Sequence, residues 1–143
     1  MYSTIVVGTD GSETAAEAVA VAADLARRTG ATLHLVKAYQ QSAGAMAVPV
    51  AGVAASDSGM GNALLAQDAE DVLADTAKTL DGISVERHAG SGAAADVLVS
   101  LAEQLHADLI VVGSKGMNRR ILGSVPNSVA HSAPCAVLIV KTT

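Results

Sequence analysis

The chain has 143 residues, enough for one domain with a substantial core and too few for two ordinary ones. Half of its residues are apolar, yet the only aromatics are Tyr2 and Tyr39, so the core is to be built from Ala, Val, Leu and Ile. A formal charge of −5 argues against a surface that neutralises many phosphates, and so against nucleic acid as a partner.

Residues 4–9 are a β-branched run ending at the turn pair Asp10-Gly11, and Ser12-Glu13 supply an N-cap and a first-turn acid for a helix. In that helix Ala15, Ala18, Val19, Ala22, Leu25 and Ala26 recur at helical spacing, and Arg27, Arg28 and Gly30 close it. Met1 leads almost directly into the first strand without the basic flank and cleavage site of a signal peptide, which predicts a cytoplasmic protein. Residues 32–38 form the second strand. Residues 40–62, rich in Ala, Gly, Ser and Val, show neither the helical nor the strand period and are predicted to be a flexible or functional loop. The nearly uncharged part, 43–55, is shorter than the ~18–20 apolar residues of a membrane span and contains Pro49 and Gly52, so no membrane association is expected.

A helix is predicted over 63–80, with Leu64, Leu65, Val72, Leu73 and Leu80 on its buried face and Asp68, Glu70, Asp71 and Asp75 solvated. Asp81-Gly82 is a turn, and 83–88 a third strand whose weaker apolar alternation predicts a sheet edge. A helix over 93–105 carries Val97, Leu98, Leu101 and Leu105, and a buried strand follows at 109–112. After a glycine loop, a short helix over 124–131 precedes Pro134 and the last strand, Ala136–Val140. Five strands separated by helices predict an α/β fold, a single domain with an open parallel five-stranded sheet and helices on both faces.

Ligands of such sheets bind beyond the carboxyl ends of the strands, where the chain order reverses. Two loops leave strands at that end: Thr9-Asp10-Gly11, and Gly113-Ser114-Lys115-Gly116, which follows the run Leu109-Ile110-Val111-Val112 and leads to Gly123-Ser124-Val125 at a helix start. Glycines after a buried strand and N–H groups at a helix N-terminus form a phosphate site, which points to nucleotide binding. Each residue also has a plainer reading. Asp10 is either a site residue or a turn cap. Gly113 and Gly116 either admit a ligand to the backbone or only punctuate the strand. Lys115, Arg119 and Arg120, three of the nine basic residues, either meet phosphate or are solvated.

Gly90-Ser91-Gly92-Ala93-Ala94-Ala95 matches a dinucleotide fingerprint, with Asp108 about twenty residues on, but it follows the least apolar strand rather than a central one and is expected to be structural. Gly113-Ser114-Lys115-Gly116 lacks the Walker A spacing, and no serine sits in a G-x-S-x-G elbow. His34, His88, His106 and His131 share no i,i+4 metal spacing, and each is expected to be a strand or helix-end residue. No catalytic residue is predicted, and Cys135, the single cysteine, is expected to be a buried, inert thiol.

Val7-Gly8-Thr9-Asp10-Gly11-Ser12, Ala107-Asp108-Leu109-Ile110-Val111-Val112-Gly113, and Leu122-Gly123-Ser124-Val125 followed by Pro134-Cys135-Ala136-Val137-Leu138 together resemble the universal stress protein family, along essentially the whole chain. The resemblance implies strand order 3-2-1-4-5 and a site for an adenine nucleotide, ATP first, with or without Mg²⁺. It places Gly8, Thr9 and Asp10 near the ribose or phosphates, with Asp10 able to meet a metal carried by the nucleotide, and the backbone at Lys37 against the adenine. It brings Gly113, Lys115, Gly116 and Arg119 to the ribose and phosphates, and Gly123, Ser124 and Val125 to the phosphate as N–H groups and a hydroxyl. One departure stands out: ATP-binding members have nine residues between the second and third glycines, whereas Met117 to Leu122 are six, which shortens the part that wraps a triphosphate. The family also implies a homodimer through the last strand, and an apolar edge strand independently invites such pairing. The function expected first is a nucleotide-sensing stress regulator. The alternatives are a nucleotide-independent interaction module and a weak ATPase for which no general base can be named.

Overall fold

The computed structural model describes residues 2–40, 54–114 and 123–142. Its centre is β1 (Thr4–Gly8), whose Ile5, Val6 and Val7 are fully buried. It pairs in parallel with β2 (Thr32–Tyr39) on one side and β4 (Leu109–Gly113) on the other, Ile5 standing opposite both Leu33 and Leu109. The edges are β3 (Val85–Ser91) beside β2 and β5 (Ala136–Val140) beside β4, so the order is β3-β2-β1-β4-β5 with every pairing parallel. This is the predicted sheet, and the order reverses between β1 and β4.

Strand alternation divides the core in two. Ile5, Val7, Leu33, Leu35, Leu109 and Val111 face α1 (Glu13–Thr29) and α2 (Ala54–Ala77), which contribute Ala18, Val19, Ala22, Ala23, Ala26 and Leu73. Val6, Val36, Ile110 and Val112 face α3 (Ala94–Leu105) and α4 (Ser124–Ser132), through Leu98, Ala102 and Val129. The alanine face of α1 lets its backbone lie close to the sheet, which is how a core with no buried phenyl or indole ring is filled. Each fully buried Val, Leu or Ile contributes about 1.5–3 kcal/mol.

Several details differ from expectation. The helix expected to begin at Ala63 begins at Ala54, so the last part of the segment read as a loop is helical. Ser56 to Gly61 carry no apolar stripe, and periodicity alone cannot reveal a helix there; once its later turns pack, extension costs little per residue. The remainder of the expected loop, 41–53, lies outside the described residues. Leu64, expected on the buried face, is 68% exposed. Nine residues separate it from the fully buried Leu73, and at 100° per residue that is the opposite side of the helix. The third strand starts at Val85 and continues to Ser91, because β2 extends to Tyr39 and pairs with it residue by residue. It is the edge its composition predicts. No helix among the described residues is long and apolar enough to cross a membrane.

The amino ends of β1 and β4 are tied by Asp108. Its Oδ2 accepts from the Ser3 and Thr4 backbone N–H groups at 2.8 and 2.9 Å and from Ser3 Oγ at 2.9 Å. These bonds, the Ser3 N–H foremost, hold its carboxyl below the usual aspartate range. Asp108 is therefore a strand clasp at the end opposite the glycine loops, not the ribose-binding acid of a dinucleotide fold.

Candidate functional site

At the carboxyl end of β1, the Thr9 N–H donates to Val36 O at 2.8 Å and prolongs the pairing with β2 by one residue. The chain then turns sharply at Gly11, whose φ of +83° suits glycine and where a Cβ would lie 3.1 Å from Val72 Cγ1. Thr9 Oγ1 accepts from the Gly11 N–H at 3.1 Å, Asp10 Oδ1 from the Ser12 N–H at 2.9 Å, and Ser12 Oγ from the Ala15 N–H at 3.2 Å. Asp10 is thus a turn cap, holding the turn through one oxygen, and its exposed carboxylate borders the cleft.

The carboxyl end of β4 is fixed through β5. Ser114, 1% exposed, donates its N–H to Val140 O at 2.9 Å, and its Oγ accepts from the Thr142 N–H at 3.0 Å. Gly113 packs so closely here that a Cβ would sit 3.2 Å from Thr142 Cγ2. Farther on, Gly123 is the N-cap of α4, and among the described residues no side chain caps that helix. Pro126, in its first turn, has no N–H to satisfy, which leaves Ser124 and Val125 as the donors that open the helix.

These ends meet in one cleft of about 420 Å³. Gly8, Thr9, Asp10, Lys37, Gly113, Ser124 and Val125 all line it, as the sequence leads one to expect, and Gly123 is buried directly before Ser124. The other expected residues, Lys115, Gly116 and Arg119, lie outside the described residues, as does Arg120. Sequence reasoning missed Thr14 and Ala15 at the start of α1, Ala38 and Leu98 on the apolar wall, Pro126, and Thr142. Pro126 directly follows Gly123-Ser124-Val125 and was within reach of that motif; Thr142 carries no local signal, since β5 and its Ser114 contact place it. The cleft combines an apolar wall of Val36, Ala38 and Leu98 with helix N-termini and with one carboxylate and one ammonium group at its border. Such a site suits a flat, largely apolar ring joined to an anionic group.

Of the fingerprint-like Gly90 to Ala95, only Ala94, at the start of α3, borders this cleft, and the glycines lie outside it. Gly90 is small because α3 crosses it: a Cβ there would fall 2.5 Å from Val97 Cγ1, and the Gly92 N–H donates to Tyr39 O at 2.9 Å. Cys135, expected to be buried, is only half-buried beside the edge strand β5; desolvation, reinforced by Asp108, pushes its thiol above the ordinary range. All four histidines are strand or helix-end residues as expected, but His34 and His88, isolated in sequence, meet across β2 and β3 with Nδ1 and Nε2 2.8 Å apart. Spacing along one helix cannot reveal a pair formed between strands.

The sequence profile described as the Universal stress protein family matches residues 1–141. A universal stress protein of Mycobacterium tuberculosis is 38% identical over 146 residues, covering 99% of this chain and 98% of the relative. One of Methanocaldococcus jannaschii is 31% identical over 147 residues, covering 99% and 83%. Among solved structures, a universal stress protein in complex with cAMP superposes with a TM-score of 0.72 at 36% identity, covering 99% of this chain and 98% of that one. The motifs, the strand order and these matches agree: the chain belongs to the universal stress protein family.

Proposed function

We propose that the protein binds an adenine nucleotide in the cleft between β1 and β4 and works in the cytoplasm as a stress-response regulator, without turning the nucleotide over. The observation that carries this reading is the convergence of the Thr9-Asp10 turn, Lys37 near the end of β2 and the start of α4, which no described side chain caps, on one largely apolar cleft. In it the ring lies against Val36, Ala38 and Leu98, the ribose near Asp10, and the phosphate at Ser124 and Val125. A nucleotide with a single phosphate, cAMP foremost, fits the six residues between Gly116 and Gly123 better than ATP does, and the relative at 36% identity was solved with cAMP. ATP with Mg²⁺ near Asp10 is the competing ligand.

Isothermal titration of cAMP, AMP, ADP and ATP, with and without Mg²⁺, separates these. Micromolar cAMP or AMP binding with weaker ATP supports the reading. Preference for Mg²⁺-ATP transfers the site to the triphosphate, and no heat from any of them with folded protein leaves an interaction module. The same reading includes a homodimer through β5, an edge strand whose Val137, Leu138, Ile139 and Val140 remain only half-buried. Light scattering that finds a monomer at micromolar concentration would refute that part.

A further inference from the structure

We propose that His34, His88 and Glu86 form a binding site for a divalent transition-metal ion of the Zn²⁺ class, on the α3 face of the sheet at its β3 edge. The register makes it: His34 stands opposite Glu86, and Val36 opposite His88, so all three side chains leave the same face of β2 and β3. His34 Nδ1 lies 2.8 Å from His88 Nε2 and 3.2 Å from Glu86 Oε2, and the three ligand atoms fall within 4.8 Å of one another. Two imidazole nitrogens and one carboxylate oxygen are a donor set that Zn²⁺, Cu²⁺ and Ni²⁺ accept, and three protein ligands leave a fourth position for water.

Two of the three ligand separations are close to those a metal requires, and the third lies within 4.8 Å. Tetrahedral ligands about 2.0–2.1 Å from Zn²⁺ are about 3.3 Å apart, a separation the His34 to Glu86 contact already has within about 0.1 Å and the histidine pair would reach by opening about 0.5 Å. The ring centroids are 5.1 Å apart at 27°, so with their nitrogens in contact the rings meet edge to edge with nearly collinear lone pairs, and converging these on one ion requires His88 to turn and withdraw. His88 is the ring able to move, being half-buried where His34 is 4% exposed. One of the two nitrogens carries the hydrogen they share; on metal binding that ring's proton passes to its other nitrogen, and both lone pairs go to the ion. Entry is open, because the Glu86 side chain is 61% exposed and His88 borders a groove of about 440 Å³ between β3 and α3. The buried position of His34 fixes one ligand in advance, and the Glu86 carboxylate supplies negative charge beside the two rings.

The cleft plays no part here, so the test is independent of nucleotide binding. Metal-free protein is titrated with Zn²⁺ while its melting temperature is followed, and with Co²⁺ while the visible d–d absorption is followed. One equivalent should bind, with a saturable rise of about 5 °C or more at roughly 100-fold excess over Kd. His88→Gln and Glu86→Gln, both at accessible positions, should each weaken binding at least tenfold with unchanged far-UV circular dichroism. The double variant of His106 and His131 to Gln should bind as wild type does. A wild-type melting temperature unmoved by Zn²⁺ would overturn the proposal. So would Co²⁺ absorption that persists in His88→Gln, or that disappears in the His106 and His131 variant.

Discussion

Ser124→Asp separates the two properties of the α4 N-terminus, because it should raise stability and lower nucleotide affinity at once. Ser124 is exposed, opens a helix that no described side chain caps, and lines the cleft. A carboxylate in the first turn interacts favourably with the partial positive charge of the helix N-terminus, contributing about 0.3–1 kcal/mol. It also lies where the phosphate is proposed to bind. Two unit charges about 4 Å apart repel by about 1 kcal/mol in water and about 4 kcal/mol at the effective dielectric of a protein surface. Affinity for cAMP should therefore fall by a factor between about five and several hundred, at 1.4 kcal/mol per tenfold. The assay is calorimetric titration of cAMP and of uncharged adenosine into both proteins, with urea denaturation alongside. Adenosine binding should change little, the cAMP loss should shrink in high salt, and the denaturation midpoint should move up. Unchanged cAMP affinity, or equal losses for cAMP and adenosine, would refute the placement of phosphate at this helix.

Leu73→Ala should cost about 2–5 kcal/mol in urea denaturation, whereas Leu64→Ala, nine positions earlier on the same helix, should stay within about 0.5 kcal/mol of wild type. Equal effects would contradict the helix rotation described above. Gly90→Ala forces a methyl group against Val97 and should cost about 1–3 kcal/mol without altering nucleotide affinity; a loss of binding at normal stability would restore the fingerprint reading. Because its hydrogen bonds hold the Asp108 carboxyl below its ordinary value of 3.8, it stabilises the fold above that pH, and the contribution fades as pH falls through the lowered value. Asp108→Ala should accordingly melt below wild type at pH 7 by a margin that closes toward pH 2, and a margin constant with pH would show that ionisation of Asp108 is not what matters.

What could be read from the chain alone was whatever is encoded locally. The β-branched runs, the Ser12 cap, Gly30 at the end of α1 and the Asp10-Gly11 turn are each specified by a few adjacent residues, and all form as expected. The cleft was legible for the same reason: Gly8 to Asp10, Gly113 and Ser124-Val125 sit at strand ends or a helix start, and a parallel sheet collects those ends on one side. The misses are contacts between residues far apart in sequence. Asp108 meets Ser3 and Thr4 across 105 and 104 positions, Ser114 meets Thr142 across 28, and His34 meets His88 across 54. Each depends on which strands are neighbours and in what register, which no window of residues contains. Leu64 failed differently, since its apolar character was correct for a stripe and only the phase of the helix decided against it.

The two ends of the sheet accordingly treat their backbone groups in opposite ways. At the amino end, Asp108 consumes the N–H groups of Ser3 and Thr4 with a single carboxylate and closes β1 onto β4. At the carboxyl end, the same two strands are held apart from their loops by clasps one step removed: Thr9 is tied to Val36, and Ser114 to Val140 and Thr142. Those bonds fix the geometry without using the donors that open α4. Among the described residues no side chain caps that helix, and a donor beside a cleft is a local cost unless protein, water or a ligand meets it. The Ser114 to Thr142 clasp also joins the cleft to β5. Thr142, two residues beyond Val140 at the end of β5, lines the cleft, so the clasp sets the cleft and the edge strand within two residues of each other.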